Sequence, residues 1–183
     1  MINYLATQKN WQNAFSDTIT SFAELAQALD LPIDSFDSQV GQFPLKVPRR
    51  FVQKMGKGDI HDPLLKQVLP TFQETVQVTG FVTDPLDEQH ANPVKGIIHK
   101  YASRVLIPVT GACVVNCRYC FRQHFDYHEN LPTQNDWQAI SAYITAHPAV
   151  NEVILSGGDP LSLSNRRLLE IFTTLEALPQ VPV

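Results

Sequence analysis

Two short β-branched runs, RVLIPVT at residues 104–110 and EVILSGG at 152–158, constrain this chain most, because the helically periodic segment DWQAISAYITAH, 136–147, lies between them. Strand, helix and strand of these lengths form a βαβ unit, in which the strands run parallel and the helix crosses one face of the sheet. A second amphipathic segment, SNRRLLEIFTTLEAL at 164–178, follows, with Ser164 or Asn165 placed to cap it. VPV at 181–183 reads as the start of a third strand. The expected class is α/β, and in parallel sheets ligand sites gather at the carboxyl ends of the strands. Gly111 and the SGGDP of residues 156–160 follow the two strands, so both ends fall on one edge.

The first half has a different rhythm. Apolar residues at Phe15, Ile19, Phe22, Leu25, Ala26 and Leu29 predict a helix over 11–29, stopped by LDLP. PRRFVQKMGKGD places a proline in a first helical turn and Gly56 and Gly58 at its end, with positive φ expected at both; DPLLKQVLP predicts a further short helix. The organisation expected is a small helical arm over 1–93 and βα units over 94–183. A formal charge of −4 excludes a strongly basic surface, so neither nucleic acid nor an anionic membrane is implied as a partner. The N-terminus lacks a basic start with an apolar run, and no segment reaches membrane-spanning length, so a cytoplasmic location is expected.

All three cysteines, Cys113, Cys117 and Cys120, fall in the loop GACVVNCRYCFRQHF at 111–125. Clustered without partners, they do not form a disulfide framework. Thiolates are soft ligands for iron–sulfur clusters or zinc, and a loop turning into a helix can point three at one cluster, leaving one iron open to a substrate. Zinc held by the three cysteines with His124 or His128 is chemically allowed, as is an inert structural trio. SGGDP alone is ordinary turn chemistry.

The loop CVVNCRYC matches the C-x3-C-x2-C pattern of the radical S-adenosylmethionine superfamily, with the aromatic Tyr119 before the third cysteine, and SGGDPL at 156–161 resembles its cofactor-binding segment. Together with DPLLKQVLP, FVTDPLDEQ, HKYASR at 99–104 and CRYCFRQHF, the chain resembles the lysine 2,3-aminomutases, most of all the branch that makes (R)-β-lysine for elongation factor P. The resemblance implies the N-terminal half of a partial (βα)6 TIM-like barrel after a small helical arm. It implies a 4Fe-4S cluster on Cys113, Cys117 and Cys120, and S-adenosylmethionine against Ser156, Gly157, Gly158 and Asp159. Arg122 would grip the carboxylate of the substrate L-lysine, a guanidinium fork suiting that group.

Tyr101 and Arg104, with Lys100, would lie near the phosphate of pyridoxal phosphate. Elongation factor P and its lysyl ligase become the expected functional partners. The family's Schiff-base lysine and the carboxylates for the ε-ammonium group would lie beyond Val183, so the chain is expected to be truncated after its second βα unit. Lys57 does not match that lysine. His99, His124 and His128 are expected as surface or hydrogen-bonded residues. A non-catalytic module holding zinc or a passive iron–sulfur cluster is the competing functional class.

Overall fold

A computed structural model describes residues 16–37 and 41–181. One compact unit comprises residues up to Phe81 together with Val114–Gln123, and the other Val82–Cys113 together with His124–Val183. The division differs from a single cut after residue 93, because the segment bearing Cys117 and Cys120 belongs with the N-terminal unit.

In the first unit, β1 (Thr18–Ile19) pairs antiparallel with β2 (Val47–Pro48), and α1 (Phe22–Leu29) follows β1. The helix expected over 11–29 is therefore broken by extended backbone before Phe22: Ile19 is fully buried in a strand, and Ser21 is extended at φ −113° and ψ 134°. The β-branched run Thr18-Ile19-Thr20 favours extended backbone, and β2 supplies its hydrogen-bonding edge. Residues 11–15 of that expectation lie outside the described residues. α1 buries Leu25, Ala26 and Leu29 and ends at Asp30, left-handed at φ 56°.

The helix expected after Pro48 is the single turn α2 (Arg49–Val52), and the one in DPLLKQVLP is a 3-10 turn at Leu65–Gln67. Gly58 has the expected positive φ, +70°, and its N–H donates to the Leu29 carbonyl at 2.7 Å. Gly56 is not among the positive-φ glycines; its N–H donates instead to Asp62 Oδ2 at 2.9 Å. Ile19, Leu25, Leu29, Val47 and Leu65 form the fully buried centre of this unit.

The second unit is a three-stranded sheet in the order β3-β4-β5: β3 (Ile98–Tyr101), β4 (Arg104–Thr110) and β5 (Glu152–Gly157). β4 and β5 are parallel, with Val105 opposite Val153 and Thr110 opposite Gly157, as the βαβ pattern requires. After β4 come the short helix α3 (Tyr127–Asn130) and α4 (Asp136–Ala146); α5 (Asn165–Glu176) follows β5, with Ser164 Oγ accepting from Arg167 N–H at 3.3 Å. Val105, Ile107, Val153 and Leu155, alternating along their strands, pack with Trp137, Ile140 and Ile144 of α4 and Ile171 and Leu175 of α5.

β3 was not expected as a separate strand. It joins β4 as an antiparallel hairpin, with Tyr101 opposite Arg104, leaving Ala102 and Ser103 as the turn; neither is a residue type that marks tight hairpins. The mixed α/β class is as expected. The third strand expected at 181–183 lies mostly outside the described residues. Among the described residues, no helix is long and apolar enough to cross a membrane.

Asp62 ties down the turn before the Leu65–Gln67 segment. Its carboxylate accepts from Gly56 N–H, from Leu65 N–H at 2.9 Å and from Leu64 N–H at 2.8 Å, and these bonds hold its pKa below the ordinary carboxylate value. A carboxylate depressed on folding stabilises fully above its unfolded pKa, about 3.9, and that stabilisation fades as pH falls through the lower folded value. Asp62→Asn should therefore lower the urea midpoint at neutral pH, and the deficit should shrink steadily below about pH 4. A deficit constant from pH 7 to 2 would show that the ionised carboxylate is not the source.

Candidate functional site

β4 ends at Thr110, and the chain continues through Gly111 and Ala112 to Cys113. β5 ends at Gly157, directly opposite Thr110. Gly158 N–H donates to the Thr110 carbonyl at 2.6 Å and Asp159 N–H to the Ala112 carbonyl at 2.8 Å. SGGDP is thereby bonded to the residue immediately before the first cysteine. SGGDP and the approach to Cys113 thus both follow the carboxyl ends of adjacent strands.

The two glycines are required by this crossing. Gly157 has φ +105°, a region that side chains rarely enter. A Cβ on Gly158 would sit 2.8 Å from the Ala112 carbonyl carbon and 2.9 Å from that of Gly111. The expected reason for these glycines was close approach to a cofactor; the chain's own crossing already demands them. Asp159 is likewise engaged locally, its Oδ1 accepting from Leu161 N–H at 3.0 Å to cap the 3-10 turn Pro160–Ser162. Ser156 stands opposite Pro108 in the ladder.

Beyond Cys113 the loop runs as turns, with Cys120 N–H donating to the Cys117 carbonyl at 3.1 Å. The helix expected to follow it is only α3, from Tyr127, capped by Asp126 Oδ1 accepting from Glu129 N–H. All three cysteines are half-buried, and none is in a disulfide. Tyr119, exposed, hydrogen-bonds with the Cys117 side chain, and that bond together with the sulfur's charge holds the phenol's pKa above its ordinary value.

Among the described residues, no three His, Cys, Asp or Glu side chains converge closely enough to grip one metal ion. The donor set itself fits an iron–sulfur cluster: three soft thiolates in eight residues of one loop, with no carboxylate between them. His128 pairs with Glu129 at 3.0 Å, and His124 is exposed. His99 Nδ1 lies 2.7 Å from the Tyr143 hydroxyl, the hydrogen-bonded role expected of it.

Arg122 is only 6% exposed, and its guanidinium lies 4.9 Å from the Phe121 ring centroid. Tyr101 and Arg104 stand at the opposite end of β4 from the cysteine loop, a seven-residue strand away, or about 20 Å of rise. The Arg104 guanidinium is 5.8 Å from the Tyr101 ring centroid and 3.2 Å from a Glu152 carboxylate oxygen. Lys57 is paired with Asp30 at 2.9 Å.

Sequence reasoning gave Arg118 no role, yet its side chain is 8% exposed and fully engaged. It pairs with Glu74, and it also donates to the Phe43 carbonyl at 3.1 Å. No local signal marks these partners, which are remote in sequence.

Residues 102–179 match a family model described as a 4Fe-4S single cluster domain. The chain is 43% identical to L-lysine 2,3-aminomutase of Escherichia coli (strain K12) over 179 residues, covering 96% of this chain and 52% of the relative. The Haemophilus influenzae protein of the same name is 43% identical over 95% of this chain and 52% of its own length. That of Clostridium subterminale is 30% identical over 97% and 44%. The chain thus spans about half the length of the curated relatives it matches.

The crossing of SGGDP over Ala112 makes a prediction independent of any cofactor. Gly158→Ala should destabilise the sheet-bearing unit by about 1–3 kcal/mol, the usual cost of forcing atoms into filled space. Denaturant unfolding of the cofactor-free protein measures this. Unchanged stability would mean that the strand ends relax freely around an added methyl group.

Proposed function

Because the chain belongs to the lysine 2,3-aminomutase family, we propose that Cys113, Cys117 and Cys120 hold a 4Fe-4S cluster serving the radical S-adenosylmethionine isomerisation of L-lysine to β-lysine. When bound, the reduced cluster supplies the electron that cleaves the sulfonium of S-adenosylmethionine and so starts radical chemistry on the substrate. The observation that carries the reading is the pair of bonds from Gly158 and Asp159 to Thr110 and Ala112, which sets SGGDP beside the approach to Cys113.

Cys113, Cys117 and Cys120 would hold such a cluster by three thiolates, which would leave it able to take a chelating amino acid group as a further ligand. In this reading Ser156, Gly157, Gly158 and Asp159 present backbone to the methionine end of S-adenosylmethionine. Arg122 binds the lysine carboxylate through two parallel hydrogen bonds. Its burial supports that role, since buried guanidinium groups work through fixed partners in place of water. Tyr101 and Arg104 serve the phosphate of pyridoxal phosphate from the other end of β4.

The barrel reading follows the same logic. A parallel β4–β5 pair with helices on one face is what the opening of a (βα)6 barrel would contain. The product proposed is (R)-β-lysine for elongation factor P, with that factor and its lysyl ligase as functional partners in the cytoplasm. The motifs shared with that branch, CRYCFRQHF and HKYASR above all, support it.

Anaerobic reconstitution with iron and sulfide tests the centre of this proposal. About four irons per chain and iron–sulfur absorbance are expected, and replacing any one of the three cysteines by alanine should abolish that absorbance. Stoichiometric zinc, or a full cluster in all three variants, would overturn it. Assay of β-lysine with S-adenosylmethionine, pyridoxal phosphate and reductant checks the substrate.

A further inference from the structure

The residues between the cysteines are tied to the N-terminal unit by hydrogen bonds. Asn116 N–H donates to the Lys46 carbonyl at 2.9 Å, and its side-chain Nδ2 donates to the Pro44 carbonyl at 3.0 Å. Arg118 N–H donates to the Gln67 carbonyl at 2.8 Å. The Arg118 Nε donates to Glu74 Oε1 at 2.8 Å, and its Nη2 donates to Glu74 Oε2 as well as to the Phe43 carbonyl. The guanidinium also stacks 4.9 Å from the Phe43 ring centroid. Val115 packs against the apolar core of the same unit. Bidentate pairing of this kind fixes orientation as well as charge.

Glu74 is itself held. It is the third residue of a capping box at Phe72–Thr75, where its side chain accepts from Thr71 N–H while the Thr71 side chain accepts in return from the Glu74 backbone. A carboxylate set by its own helical turn therefore fixes the guanidinium, and the guanidinium fixes the loop backbone between Cys117 and Cys120.

We propose that Arg118 and Glu74 are positioning residues for the cysteine loop: their ion pair, with Asn116, pre-organises the segment 114–123 so that its thiols meet a cluster without first ordering the chain. The proposal rests on the cluster reading above for its purpose, but the anchoring itself can be measured without a cluster. An ordered loop loses less conformational entropy on ligation, so cluster retention is where the pair acts.

The test uses the 183-residue chain and two variants. Glu74→Gln keeps the capping box, which accepts Gln as well as Glu, while it removes the charge and sets an amide donor against the Arg118 Nη2 donor in place of an acceptor oxygen. Arg118→Lys keeps the charge but loses the fork, and is not a conservative change at such a site.

In the cluster-free protein, hydrogen exchange at the Asn116 and Arg118 amides and alkylation of Cys117 and Cys120 should each accelerate about tenfold in both variants, the size expected for losing a charge-assisted bond. Exchange in the β4–β5 ladder should stay unchanged. In the reconstituted protein, chelator should strip iron faster from both variants, and the double variant should be no worse than Arg118→Lys alone, since the two residues act as one pair.

Unchanged amide exchange and alkylation would overturn the anchoring whatever metal the protein binds. Faster exchange with unchanged iron loss would overturn the positioning role and leave an ordinary structural ion pair. Wild-type protein that takes up no cluster but loses loop protection in Glu74→Gln would instead overturn the cluster reading while supporting the anchor.

Discussion

The close crossing at the carboxyl ends of β4 and β5 is the constraint on which the rest of the site depends. Two strands that run parallel in register bring Thr110 opposite Gly157, and the chain leaving β5 must then pass over the chain leaving β4. The Gly158 N–H reaches the Thr110 carbonyl at 2.6 Å, and a Cβ on Gly158 would lie only 2.8 Å from the Ala112 carbonyl carbon. The glycines are thus fixed by backbone geometry before any ligand is considered. A glycine pair of this kind permits a cofactor to come near, but its presence is explained without one.

How much of this was legible in the sequence depends on where the determining partners lie. β4 was expected at 104–110 and is found there, and the helices expected at 136–147 and 164–178 are found at Asp136–Ala146 and Asn165–Glu176. In those segments the apolar period and the flanking Gly, Pro and Ser residues are local and agree with one another. The N-terminal arm was harder, because Ile19 fits a helical period yet sits in a β-branched triplet whose strand partner, Val47, is far along the chain. β3 escaped because its turn, Ala102-Ser103, lacks the usual glycine or asparagine. The cysteine spacing was fully visible, but the anchoring of the residues between was not: Arg118 meets Glu74 across 44 residues and Asn116 meets Pro44 across 72.

The two ends of β4 carry different chemistry. Its carboxyl end leads to the cysteine loop and to backbone groups, while its amino end carries the Tyr101 ring, the Arg104 guanidinium and Glu152 across the ladder. About 20 Å of strand separates them. Arg104 is already paired with Glu152, so an anion that it binds must displace that carboxylate. An exposed pair of this sort is weak enough for that exchange to cost little.

Within the loop itself, ligation and anchoring fall to different residues. The cysteines make no disulfide, whereas the Asn116 and Arg118 side chains between them are held by carbonyls and a carboxylate. A loop held through its cysteines would have to release those bonds before binding metal, and a loop held by nothing would have to order as it bound. Holding the intervening residues avoids both costs, because the backbone is fixed while the thiols can still turn about their side-chain bonds. The polar residues that interrupt the cysteine pattern are therefore part of how the loop works: they allow a short, turn-rich segment without regular secondary structure to keep one shape.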